Sequence, residues 1–300
     1  MSEPIVVEAR RNGAVEATHR VHAVAVRGGE IVAAAGDPSL TCFMRSSSKP
    51  LQALPLVRAR DDLAEDELAI ACASHRDTPA QVTAVRALLA RAEATEDDLE
   101  LGSQEGRPPG LVHNNCSGNH AGMLALCRAQ GWPTQGYRLA EHPVQRACLA
   151  VHAEAAEVEA DALETGTDGC GIVTFLLTLE RTAHAFSRLE SLAGGATVAA
   201  AMRARPDLVG GVDGADLLLM RGAPGWLAKS GAEGLICAAG PDGTGVALKS
   251  EDGASRAHAP ALAAFLGRLG VDLPDLAVRP VINTRGERVG EVAARTSGSV

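Results

Sequence analysis

Aromatic side chains make up only 2% of this 300-residue chain, so its interior must be packed with Ala, Leu and Val, which suits closely packed helices and small-residue strands. Uninterrupted apolar runs are missing too. None approaches the roughly 20 residues that span a bilayer, and the opening Met-Ser-Glu-Pro lacks the basic and apolar regions of a secretion signal. The expectation is a cytoplasmic protein with no membrane partner. No cluster of Lys and Arg with interleaved aromatics offsets the net charge of -9, which argues against binding a phosphate backbone and leaves no nucleic-acid partner. Internal repeats, linkers and low-complexity tracts are absent. The seven cysteines (42, 72, 116, 127, 148, 170 and 237) are odd in number and widely scattered, unlike a disulfide framework, and a reducing compartment keeps them as thiols.

What is present describes an ordinary globular chain, 46% hydrophobic and 22% charged, large enough for one big domain or two that share a core. The first forty residues alternate apolar and polar positions around Asn12-Gly13, Gly28-Gly29 and Gly36-Asp37, which predicts strands over about 4–10, 14–27 and 30–35. From about 47 to 205 apolar residues recur at three- and four-residue spacing, predicting helices over 81–91, 119–130, 143–156, 173–189 and 196–205. Strand patterning returns at 225–229, 233–239 and 245–249, with Pro241-Asp242-Gly243-Thr244 as a turn. A helix over 260–269 and one short strand near 280–292 complete the chain. The expectation is an α+β fold in one domain spanning 1–300. Its antiparallel sheet is formed by both ends of the sequence, about 1–45 and 207–300, and the inserted helical part covers about 46–206.

Three patterns carry chemistry. Arg45-Ser46-Ser47-Ser48-Lys49-Pro50 contains Ser-x-x-Lys, which at a helix start puts Ser46 and Lys49 on one face where they can touch. A neutral amine could take the serine's proton, and helix-start N–H groups favour negative charge nearby. The plain alternative is a capping serine beside a solvated lysine. The second pattern, Lys229-Ser230-Gly231 where strands resume, is with Ser-x-x-Lys the arrangement of serine β-lactamases and penicillin-binding proteins. Their Ser-Asp-Asn is missing, and Ala73-Ser74-His75 stands in a comparable place. In the third, Cys116 and Cys170 each lie in a Gly-bearing loop at a helix start.

Taken in order, Arg-Ser-Ser-Ser-Lys-Pro-Leu-Gln, Cys-Ala-Ser-His, Asn-Asn-Cys-Ser-Gly-Asn-His-Ala-Gly-Met, His142-Pro143-Val144-Gln145, Asp168-Gly169-Cys170, Lys229-Ser230-Gly231-Ala232-Glu233-Gly234 and Ala247-Leu248-Lys249-Ser250-Glu251-Asp252-Gly253 resemble the asparaginase II family of bacterial L-asparaginases, the Rhizobium etli type. The resemblance runs from about residue 5 to 293. It implies a serine β-lactamase-like fold, a homodimer, and hydrolysis of L-asparagine to aspartate and ammonia. On the matching positions Ser46 is the nucleophile, Lys49 its base, Ser74 a second hydroxyl and Lys229 the strand lysine that supports it. Arg45, Asp168 and His120 fall on active-site positions and are taken as substrate-binding.

That family also binds zinc through two cysteines and a lysine. Cys116 and Cys170 match the cysteines, but Asn119 replaces the lysine. Two thiolates still suit Zn²⁺, with His120 or water to complete a tetrahedron, whereas an amide is a poor zinc ligand. Arg45 is the candidate for the substrate's α-carboxylate, Asp168 for its ammonium, and N–H groups of the helix start and the 229–232 strand for the oxyanion. The rival readings are L-glutaminase activity, a penicillin-recognising hydrolase, and an inactive relative that binds an amino acid.

Overall fold

The computed structural model describes residues 2–295; Met1 and residues 296–300, assigned to the same domain by the sequence, lie outside the described residues. The chain divides into two compact units, one comprising residues 1–42, 178–187 and 213–300, the other 43–177 and 188–212. The expected boundaries near 45 and 207 therefore shift by a few residues, and the segment 178–187 belongs with the sheet unit.

The first unit is built on an eight-stranded sheet. Along its path run Val278–Ile282, Arg288–Ala294, Ile5–Arg11, Ala14–Arg27, Gly245–Ser250, Leu235–Ala239 and Leu227–Ser230, with Glu30–Ala35 paired off this path to Ala14–Arg27. The registers given for these neighbours are antiparallel. The α+β reading holds, and both ends of the chain supply the sheet. One face carries Val7, Val21, Ala23, Ala228, Ile236, Val246 and Leu248 into a core with Leu219, Leu262, Phe265, Leu266 and Leu276 of the helices Ala215–Gly222, His258–Gly267 and Pro274–Ala277. Strand residues point alternately to opposite faces, so Lys229, Cys237 and Lys249, which share a register parity, lie on the other face.

Two expectations need correction. The segment 173–189 is not one helix: Val173–Thr178 is a strand and the helix begins at Leu179. Its β-branched and aromatic residues fit a pleated surface, and it pairs antiparallel with Thr165–Thr167. The final strand is two, paired across Asn283–Glu287 with a register shift. His19 bridges Asp252 and Arg256, hydrogen-bonding Asp252 at 2.6 Å and accepting from Arg256 at 2.8 Å.

The second unit packs Pro79–Arg91, Ser117–Gln130, Pro143–Ala156 and Gly195–Ala204 with shorter helices around buried Leu54, Ile70, Val85, Leu88, Leu124, Val144 and Met202. Ser117–Gln130 ends where Gly131 takes a left-handed conformation, φ 66°. At its start Gly118 lies so close to Glu65–Ala71 that an added Cβ would stand 2.2 Å from the Ile70 carbonyl oxygen. Alanine is ordinarily better than glycine inside a helix by about 1 kcal/mol, but here the clash reverses the sign. Gly118→Ala is expected to lower stability by about 1–3 kcal/mol, measured by urea unfolding; an equal or raised midpoint would contradict this packing.

Candidate active site

The helical unit buries a lysine. Arg45–Ser48 forms a single 3-10 turn that runs directly into the helix Lys49–Gln52, with Pro50 in its first turn. Lys49 is 1% exposed. Its Nζ donates to the Ala73 carbonyl at 2.6 Å, the Ser74 hydroxyl at 3.3 Å and the Cys116 sulfur at 3.3 Å. Three polar partners thus surround the amine nitrogen. Ser46 is not among the partners of Lys49. Its half-buried hydroxyl makes no hydrogen bond among the described residues, whereas Ser47 and Ser48 donate back to the Met44 and Arg45 carbonyls. Of the three adjacent serines, only the first is left for other chemistry.

Arg45 carries the backbone mark of a functional turn. Its φ of 50° is left-handed, rare for a non-glycine residue and costly by about 1–3 kcal/mol. The Thr174 hydroxyl accepts the Arg45 backbone N–H at 3.0 Å. From this position Arg45 reaches Asp168, its Nε at 3.0 Å and Nη2 at 2.9 Å from the same Oδ1. Gly169 N–H also donates to that oxygen, leaving Oδ2 without a partner among the described residues. The two residues expected to hold opposite ends of a zwitterion thus hold each other.

Cys116 and Cys170 are brought together. The Cys170 thiol hydrogen-bonds the Cys116 sulfur, and this bond, joined by the Lys49 charge, lowers the Cys116 thiol against the cost of burial to about 5. The same bond pushes Cys170 upward. Cys116 thus lies between the Cys170 thiol and the Lys49 amine. Asn119 turns its Nδ2 to the Ala71 carbonyl at 3.3 Å, and its Oδ1 is buried without a partner. Among the described residues no group of three or more His, Cys, Asp or Glu could hold a metal ion. Two thiols with an amide in place of the lysine supply half of a zinc tetrahedron, and Lys49 already gives Cys116 a cation. The donor set does not fit a closed zinc site.

His120 is fully buried, its Nδ1 2.7 Å from the Tyr137 hydroxyl. That hydroxyl accepts the Glu100 N–H at 2.8 Å, and the buried His120 Nε2 has no hydrogen-bond partner among the described residues. Tyr137 was not foreseen; the one hint was that it is the chain's single tyrosine. His142 caps the helix Pro143–Ala156, its Nδ1 accepting from Val144 N–H, as a structural reading requires. Near Cys170 a pocket of about 560 Å³ is lined by Glu100, Gly102, Arg138, Gly169 and Gly171.

In the sheet unit Lys229 is buried on Leu227–Ser230, its Nζ bonded to the Ser230 carbonyl at 2.6 Å. The strand N–H groups expected to hold an oxyanion are in part engaged. Ser230 N–H donates to Asp216 at 3.4 Å and Gly231 N–H to the Leu235 carbonyl at 2.7 Å.

A family model described as L-asparaginase II matches residues 7–294. Among solved structures, Mglu in its native form in 4.3 M NaCl is 16% identical with a TM-score of 0.51, covering 89% of this chain and 66% of that one. Mglu in its glutamate form is 15% identical with a TM-score of 0.50, covering 85% and 62%. The chain thus spans just under two thirds of the length of these Mglu chains. Among curated proteins no sequence matches.

Four buried histidines fix the acid behaviour. Burial pushes His75, His152 and His258 down to about 4 and His120 to about 3, with the Lys49 charge adding to the effect on His75 and His120. In the unfolded chain they titrate near 6.5. Below that pH the unfolded state takes up protons that the folded state refuses, so stability present above pH 6.5 is lost as pH falls toward 4 and 3. Urea midpoints are expected to be level between pH 7 and 8 and to drop steadily from 6.5 to 4; a flat profile down to pH 4.5 would contradict neutral burial.

Proposed function

The chain belongs to the L-asparaginase II family, and on that premise we propose that it hydrolyses the side-chain amide of L-asparagine, giving L-aspartate and ammonia through an acyl-enzyme on Ser46. The observation that carries this reading is the buried Lys49 amine, hydrogen-bonded to Ser74 and Cys116 one helical turn after a serine whose hydroxyl has no partner among the described residues. A surface capping serine and a solvated lysine would present neither feature.

The chemistry follows from charge and donors. In its neutral form Lys49 takes the Ser46 proton as Ser46 Oγ attacks the amide carbon, and N–H groups at the start of the 45–52 segment hold the oxyanion. With Ser230 and Gly231 N–H groups already engaged, the strand contributes less to that task than the sequence suggests. Collapse of the tetrahedral intermediate expels ammonia, which collects its proton from Lys49, with Ser74 beside it as relay. Water then attacks the ester carbonyl, gives a proton to Lys49, and releases aspartate. Arg45 meets the substrate's carboxylate and Asp168 its ammonium; on binding, each exchanges part of their mutual ion pair for the zwitterion. Lys229 adds positive charge. On the same reading the enzyme works as a cytoplasmic homodimer. No helix among the described residues is long and apolar enough to cross a membrane.

No step passes through zinc. Cys116 instead stands within hydrogen-bond reach of the Lys49 amine, 3.3 Å away. Protein purified without chelator is expected to hold well below one equivalent of zinc per chain, by metal analysis; one tightly held equivalent would contradict the donor-set argument.

Glutamine is the second reading, favoured by the fold shared with Mglu, which has been solved in a glutamate form. One methylene is worth about 1–3 kcal/mol in a pocket, so asparagine should be preferred by roughly 10- to 200-fold in kcat/KM. Acylation by a fluorescent penicillin would favour the penicillin-recognising alternative, and asparagine binding without turnover the inactive one. Ser46→Ala is expected to reduce ammonia release by at least about 10³-fold, followed with both amides. Release at the unmodified rate would end the proposal.

A further inference from the structure

Lysine is rare in this chain. Of its 28 Lys and Arg residues only Lys49, Lys229 and Lys249 are lysine, and none of the three is fully exposed. Arginine serves nearly everywhere a cation is wanted, and lysine is kept where the cation is shielded. The two differ there in a specific way. Lysine is a compact charge that gives up its proton when its surroundings demand it, whereas arginine does not. What surrounds each lysine therefore decides what it can do.

Beside Lys229 stands a second buried charge that the sequence did not single out. Asp216, in the first turn of Ala215–Gly222, is 1% exposed. Its Oδ2 accepts the Ser230 hydroxyl at 2.8 Å and the Ser230 N–H at 3.4 Å, and lies 4.0 Å from Lys229 Nζ. Its Oδ1 takes only the neighbouring Leu217 N–H. An acid in a first helical turn is ordinarily a solvated partner of the helix dipole. This one is withdrawn from solvent, and every contact it makes beyond its own helix is to Lys229 and Ser230. The Ser230 hydroxyl in turn is spent on Asp216. The Lys-Ser pair at the strand's end is thus fixed by one carboxylate.

Two other titratable groups bear on the pair. His258, at the start of His258–Gly267, feels Asp216, Lys229 and Lys249, and burial keeps it neutral. Lys249, on Gly245–Ser250, lies on the same sheet face as Lys229, and its Nζ is bonded to the Ser230-like neighbour of its own strand, the Ser250 carbonyl. Among these groups Asp216 is the one negative charge.

We propose that Asp216 is a positioning residue for the hydrolysis put forward above: it holds Lys229 as an ammonium and, through Ser230, fixes the strand end that carries it. What Lys229 contributes to that reaction is then positive charge, and the base is Lys49 alone. The inference rests on the asparaginase reading for its meaning in catalysis, but its physical content concerns only the sheet unit.

Because there are three lysines, protein labelled with ¹³C and ¹⁵N in lysine gives three side-chain signals, assigned by Lys249→Arg and Lys229→Arg. In the unmodified protein the Lys229 signal is expected to keep its ammonium position up to at least about pH 9. In Asp216→Asn, with the carboxylate gone and Lys249 still nearby, it should lose its proton at a pH lower by about one unit or more; Asp216→Glu should restore most of the difference. In turnover assays Asp216→Asn should lower kcat by about a hundredfold and move the alkaline limb of the pH profile toward acid, with KM little changed. A neutral Lys229 below pH 9 in the unmodified protein overturns the proposal even if Asp216→Asn fails to fold. So does a folded Asp216→Asn with an unshifted Lys229 titration. Failure of the asparaginase reading would show differently, as no ammonia from either amide by the unmodified protein, and the lysine spectra would still decide the inference.

Discussion

The helical unit is organised around one buried amine with three hydrogen-bond partners: Lys49 with Ala73, Ser74 and Cys116. A lysine withdrawn from water in this way is costly unless each donor finds an acceptor and its charge finds a counter-charge. The acceptors come from two separate loops, 72–75 and 113–117, so the amine fixes where those loops lie relative to the segment that carries Ser46. Tight packing does the rest. Gly118 admits the Ile70 carbonyl where any side chain would collide, and this closeness delivers Cys116 to the lysine.

The surroundings show the same economy of charge. Cys170 and the Lys49 charge lower the Cys116 thiol against the cost of burial, and Arg45 and Asp168 neutralise each other across the mouth of the same segment. In the sheet unit, Asp216 stands beside Lys229 as Cys116 stands beside Lys49. A carboxylate keeps a lysine charged firmly. The two lysines thus have different partners, and the proposed acyl transfer gives them different parts.

Much of this was legible in the sequence, for reasons that can be named. Ser46 and Lys49 are fixed by covalent spacing, and the strands at both ends by alternation and by turns such as Asn12-Gly13. The departure at Asn119 was visible as a letter, and the structure gives it a physical meaning: its amide bonds Ala71 and supplies no third soft ligand. Other features were not legible. Val173, Leu176 and Leu177 recur at three- and four-residue spacing that also fits a helix, and the pairing of Val173–Thr178 with Thr165–Thr167 settled the matter from outside the segment. The partners of Lys49 include a backbone carbonyl, which no side-chain pattern announces. Tyr137 behind His120 and Asp216 behind Lys229 act through contacts 17 and 14 residues away for their serine or histidine partners, and single residues at such distances leave no periodic trace.

The central claim is that Ser46, and not the Cys116 sulfur, forms the covalent bond to substrate. Mixing the protein with L-asparagine, quenching in acid within milliseconds and weighing its proteolytic peptides tests this directly. The account predicts an aspartyl increment on the peptide that contains Ser46, located on that serine by fragmentation. The same increment on the peptide that contains Cys116, with Ser46 unmodified, would contradict it.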